Sequence, residues 1–171
     1  MPTTSRGYRY PAASAAPNVP LDLSNLAADV NTDLTALTGA WTSYTPTWTA
    51  ATTNPAIGNG SITAYYRAIG KLIVYAGVIS AGSTTTYGTG TWLISLPATA
   101  RTSTPQLLFP GGAYLHDAST IANRGAGACL LFDTTKLYVV PGTAGGSVGS
   151  TAPFTWASGD ALQWTLTYEA A

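Results

Sequence analysis

Few side chains in this sequence could do chemistry, and they are scattered. His116 is the single histidine, with Asp117 beside it and Asp133 and Asp160 further on. A triad could be drawn with many serines, but none stands in a nucleophile elbow. The Gly-X-Ser runs here lie instead in loose Gly/Thr/Ser stretches. His116 therefore reads as a hydrogen-bonded or exposed strand-end residue. One imidazole per chain makes a metal site only if a threefold axis brings three copies together. Glycoside hydrolysis needs two opposed carboxylates. The C-terminal region offers Asp117, Asp133, Asp160 and Glu169, of which Asp133 and Asp160 sit in turn signals and Glu169 near the end. Gly58-Asn59-Gly60 and Gly88-Thr89-Gly90 lack the following Lys-Ser or Lys-Thr of a phosphate cradle. The lone cysteine, Cys129, sits in Ala128-Cys129-Leu130-Leu131 and reads as a small apolar packing group. No catalytic residue, no metal site and no cofactor are expected.

Charge is as sparse as chemistry. Only 8% of the 171 residues are charged, 46% are apolar and the formal net charge is zero. Arg6, Arg9, Arg67, Lys71, Arg101, Arg124 and Lys136 form no stripe, so a nucleic-acid partner is not expected. A neutral surface this poor in charge tends to self-associate. The start has no signal-peptide pattern, and no apolar run approaches the roughly 18 residues of a membrane span. Synthesis in a cytoplasm without membrane insertion is the expectation.

Three stretches must position whatever this chain does. Residues 1–19 hold several prolines and no periodicity, with Tyr8 and Tyr10 beside Arg6 and Arg9. They read either as a disordered tail or as an extended arm that orders on a neighbouring subunit. Residues 20–39 read as one helix. Pro20 and Asp22 suit its first turn, Gly39 its stop, and its length is roughly 28 Å. Leu23, Leu26, Val30, Leu34 and Leu37 recur at steps of three, four, four and three, which makes one apolar stripe. So short a helix is marginal alone. The stripe must pack on its own β region or on copies of itself, and an oligomer interface is the favoured reading.

From Trp41 on, short apolar and aromatic runs alternate with Gly, Thr, Ser and Pro. Strands are expected at 61–69 and 72–80, joined at Gly70-Lys71. Others are expected at 91–96, 106–109, 113–116, 127–133, 136–140 and 162–169. Pro46 marks an edge or a bend between Trp41 and Trp48. The fold class is mainly β: an antiparallel sandwich or jelly roll over residues 40–171, preceded by the arm and the helix. Trp92, Trp156 and Trp164 with Tyr65, Tyr75 and Tyr138 can supply its core. Tyr87 stands apart inside the polar loop Ser83–Gly88. It reads either as loop packing or as a receptor contact.

Three segments resemble tail-associated proteins of bacteriophages, especially the minor tail proteins and tail fibres of phages infecting actinobacteria. The first is Arg6-Gly-Tyr-Arg-Tyr-Pro11, leading through Ala16-Pro-Asn-Val-Pro20 into Leu23–Val30. The second is Trp41–Trp48 with Asn54–Gly60, Tyr66–Lys71, Gly88–Trp92 and Ser95-Leu-Pro97. The third is Pro153-Phe-Thr-Trp156 with Ser158-Gly-Asp160 and Thr167–Ala170. The resemblance transfers no active site. It implies a virion part with an N-terminal attachment segment and a trimeric β-rich head. A homotrimeric tail fibre or spike component is therefore expected, touching other virion proteins and a host-surface glycan. The alternatives are a capsid decoration or head-spike protein, and a carbohydrate-binding module without catalysis.

Overall fold

The computed structural model of the chain describes residues 1–14, 16, 18–101, 111–142 and 145–171, with residue 36 described through its backbone. The chain divides into two compact units, Met1–Ala40 and Trp41–Ala171.

The first unit is built on helix α1, Val19–Thr38. Its start is fixed by Asn18, whose side-chain oxygen accepts the Leu21 N–H at 3.2 Å, with a proline in the first turn. Gly39 ends it. A β-carbon there would come within 2.9 Å of the Thr35 carbonyl, so a residue without one is required. The leader before the helix is not extended, contrary to the sequence expectation. Thr3 pairs with Arg9, the Tyr10 N–H reaches the Pro2 carbonyl, and the chain reverses through Gly7 at φ +87°. The reason is local: Thr4 accepts from both Gly7 and Tyr8, so this stretch has a turn chemistry of its own.

Among the described residues the second unit is one nine-stranded sheet, antiparallel at every pairing. In chain order the strands are β1 Thr42–Tyr44, β2 Trp48–Ala50, β3 Ser61–Ile69, β4 Leu72–Ser80 and β5 Trp92–Ser95. They continue with β6 Gly111–His116, β7 Gly125–Leu131, β8 Lys136–Pro141 and β9 Ala161–Glu169. The spatial order is β1-β3-β4-β9-β6-β7-β8-β5-β2. The two end strands are thus neighbours in sequence, separated only by the bend around Pro46. Across that bend the Tyr44 hydroxyl bonds Ser95 Oγ at 2.8 Å and the Leu96 carbonyl at 2.9 Å. The sheet curls into a half-barrel, its end strand β1 tied to the far end through the Tyr44 hydroxyl. The hydrogen bonding therefore runs unbroken through one sheet and does not divide into the two sheets expected of a sandwich. The expected strand at Gln106–Phe109 lies outside the described residues.

The concave face holds the core. Trp92 is its hub: Trp48 meets it edge-on at 4.7 Å, Trp156 lies at 4.8 Å, and Tyr87 stacks on it at 6.3 Å. Strand β9 sends Leu162, Trp164, Leu166 and Tyr168 inward at every second position. Burying a ring of about 200 Å² at about 25 cal/mol per Å² is worth on the order of 5 kcal/mol before entropy. Gly77 is part of this packing. A β-carbon there would run into the Trp164 ring and Ala64. Buried tyrosines spend their hydroxyls internally: Tyr168 donates to the Ala98 carbonyl at 2.8 Å and Tyr75 to that of Ser95 at 3.2 Å. Burial pushes the Tyr168 phenol up to about 12. Two expected core residues face the other way. Tyr65 stands exposed on the convex face, and Tyr138 packs edge-on against the exposed Phe132. Each lies one position out of phase with the inward set of its strand.

Candidate functional site

The residues that sequence reading singled out for assembly come together in the first unit. Stripe residues Leu23, Leu26, Val30, Leu34 and Leu37 remain 42% to 61% exposed, and Val19 extends the row at 62%. The six positions step by four, three, four, four and three. Val19 and Val30, Leu23 and Leu34, and Leu26 and Leu37 are thus eleven residues apart. Eleven residues make three turns of about 3.67, so the row runs nearly straight along α1.

The opposite character gathers on one flank. Asp22, Asp29 and Asp33 lie beside the stripe on one side, while Ala27, Asn31 and Thr38 lie on the other, at about 3.6 residues per turn. The leader turns back onto the acidic flank. Arg9 forks onto Asp29, with Nη2 to Oδ1 at 2.7 Å and Nε at 3.1 Å from both oxygens, and its backbone N–H reaches Oδ2 at 2.8 Å. The Tyr8 hydroxyl donates to Asp33 Oδ2 at 2.6 Å. Hydrogen bonding from Arg9 lowers the Asp29 carboxyl, and the Asp33 carboxylate raises the Tyr8 phenol. Of the proposed attachment residues, Tyr8 and Arg9 are therefore engaged by the helix, and Tyr10 is exposed. The partners Asp29 and Asp33 lie outside the candidate residues of the sequence analysis. Their four-residue spacing was the available signal, because it puts both carboxylates in one line.

The candidate chemistry of the second unit is spent on structure. Asp117 is buried and accepts from the Ser119 and Thr120 N–H groups at 2.8 Å, from Ser119 Oγ at 2.7 Å and from Asn123 Nδ2 at 2.8 Å. Those bonds, Asn123 and Ser119 foremost, hold its carboxyl down to about 2. Asp160, also buried, takes the Ala118 N–H at 2.9 Å and the Ala157 N–H at 2.7 Å. Asp133 closes the β7–β8 turn onto Thr135 at 2.6 Å, and Glu169 pairs with Arg101 at 2.9 Å. His116 lies against Tyr114, ring centres 6.4 Å apart. Cys129 is fully buried, its thiol pushed up to about 12. Among the described residues, no group of three or more His, Cys, Asp or Glu side chains could hold a metal ion. Tyr87 is half-buried over Trp92, and its carbonyl accepts the indole N–H at 3.0 Å. No described helix is long and apolar enough to cross a membrane.

The chain is similar to a known protein of one kind. It is 30% identical over 120 residues to a Mu-like prophage defective tail fiber protein from Haemophilus influenzae. The match covers 68% of this chain and 18% of that protein, so the chain spans under a fifth of its relative's length. No protein-family model and no solved structure matches it.

Proposed function

We propose that this chain is a structural component of a phage tail fibre or spike, assembled as a homotrimer through α1 and carried in the virion. The observation that carries the assembly is the straight row of large apolar side chains on α1, exposed in a single copy while the acidic flank beside it is covered by the leader. About six large side chains in water are a standing driving force, each worth on the order of 2 kcal/mol when buried. A second copy presenting the same row satisfies it. The likeness to a tail fiber protein supports the tail over the alternative of a capsid decoration or head spike. In this reading the leader, with Arg6 and Tyr10 turned outward, is the attachment segment toward other virion proteins. The Tyr87 loop is a candidate for host contact. No catalytic role is proposed.

Light scattering tests the assembly directly. The purified chain should show three times the monomer mass at micromolar concentration. Leu26→Asp should bring it to the monomer mass, because a carboxylate would then sit in a closed apolar seam. A monomer before substitution, or a trimer after it, would reject the seam. Mass spectrometry of purified particles decides virion residence.

A further inference from the structure

The convex face of the sheet carries a feature that neither the assembly nor the core uses. Four adjacent strands, β3-β4-β9-β6, align two rows of outward residues. One row is Tyr65, Ala76, Thr165 and Gly112; the other is Thr63, Val78, Gln163 and Tyr114. The tyrosines occupy diagonally opposite corners and are exposed, at 46% and 42%. Three strand spacings put them about 14 Å apart across the sheet and about 7 Å apart along it. Between them the side chains are short, so the rings wall an open groove of about 530 Å³. The floor between the two rows is the backbone of the inward-facing row Ala64, Gly77, Trp164 and Ala113, with the Trp164 ring buried on the core side.

The chemistry of the lining is specific. No charged side chain lines the groove. Its polar groups are the two phenol hydroxyls, the Gln163 amide and the hydroxyls of Thr63 and Thr165. Only Thr165 is engaged, weakly, with the Gly112 carbonyl at 3.5 Å; the others have no partner among the described residues. Across the groove Tyr65 sits opposite Ala76 and Tyr114 opposite Gln163, with Ser43 and Ala126 as their outer cross-strand neighbours; the Tyr114 ring also has His116 at 6.4 Å, and both tyrosines remain exposed.

We propose that this groove binds a neutral oligosaccharide. A pyranose ring presents a face of C–H groups that packs on an aromatic ring, and a rim of hydroxyls that exchange hydrogen bonds with amides and alcohols. Two tyrosines separated by a short-residue floor suit a chain of sugar rings longer than one unit, each end ring stacked on one phenol. Gln163, beside Tyr114 in the second row, supplies both a donor and an acceptor to the sugar hydroxyls. The absence of lining charge selects neutral sugars over acidic ones. This reading does not depend on the tail-fibre assignment or on the trimer, since every residue used belongs to one copy of the sheet.

The test uses the full chain and titration calorimetry with neutral trisaccharides: maltotriose, cellotriose, laminaritriose and chitotriose. At least one should bind. Tyr65→Ala and Tyr114→Ala should each weaken that binding roughly tenfold, and the double variant should abolish it. Both side chains are exposed, so melting temperature and oligomer mass should stay as in the unsubstituted chain. Two results would overturn the proposal: no binding of any of the four at millimolar concentration, or binding that survives the double substitution. A fall in oligomer mass on substituting either tyrosine would also overturn it, because the face would then be an interface between copies of this chain. Loss of the trimer in Leu26→Asp with sugar binding retained would reject only the seam.

Discussion

Asp117, beside the single histidine, and the lone thiol of Cys129 both have surroundings that turn them to structure. Four donors converge on Asp117, so its carboxyl is held down to about 2. The unfolded chain would titrate it near 3.9. A folded value below the unfolded one means that the stabilisation is fully present above the unfolded value. It is lost as pH falls through the folded one. Melting temperature should therefore drop between about pH 4 and pH 2, and Asp117→Asn should lower it at neutral pH while flattening that acid slope. Differential scanning calorimetry across the range checks both. Cys129, buried with its thiol pushed up to about 12, should not react with Ellman's reagent in the native chain and should react fully in denaturant. From sequence, the turn role of Asp133 was legible, since Asp-Thr-Thr-Lys is a local signal. The stapling role of Asp117 was not, because its acceptor geometry depends on a 3-10 turn at Ile121–Asn123 that brings Asn123 round to it.

At the scale of elements, what was legible is what local chemistry decides. Strands β3 and β4 read off at their observed bounds, Ser61–Ile69 and Leu72–Ser80, because Gly70 supplies the φ of +60° that the tight turn requires. The neighbours of those strands were not legible. Strand β4 pairs with β9, Leu72 opposite Glu169, and no local pattern encodes a partner that distant. The same gap hid the single curled sheet and the outward turn of Tyr65. Helix α1 shows a further consequence of arrangement over composition. Its acidic flank, Asp22, Asp29 and Asp33, lies to one side of the stripe only. In a parallel bundle that flank faces the neutral flank of the next helix, whereas an antiparallel pair sets acid against acid. Parallel packing is therefore expected, with each stripe residue meeting its own copy. Leu23→Cys should cross-link chains on mild oxidation, visible as a doubled mass on a non-reducing gel. The native thiol, buried at Cys129, leaves the background clean. An antiparallel arrangement would put residue 23 near the far end of its neighbour and give no cross-link.

For the molecule as a whole, the division of labour between the two units decides which experiment is informative. Every residue of the hydrophobic core, from Trp48 to Tyr168, belongs to Trp41–Ala171. The sheet unit thus has what a domain of about 130 residues needs to fold alone, a buried aromatic core within one curled sheet. The first unit lacks such a core: its hydrogen bonds hold the leader to α1, and its largest side chains are exposed. In the proposed assembly its stability comes from association, while that of the sheet unit need not. Deleting residues 1–40 should leave the melting temperature and near-ultraviolet circular dichroism of the sheet essentially unchanged, because Trp48, Trp92, Trp156 and Trp164 keep their buried surroundings. The same deletion should reduce the mass to that of a monomer and abolish incorporation into particles. If the truncated chain stayed oligomeric, a surface of the sheet unit would have to carry the contact. The exposed groups there, Tyr65 and Tyr114 among them, would become the next residues to substitute. If instead it failed to fold, the sheet would depend on the helix, and the independence argued from its core would be wrong.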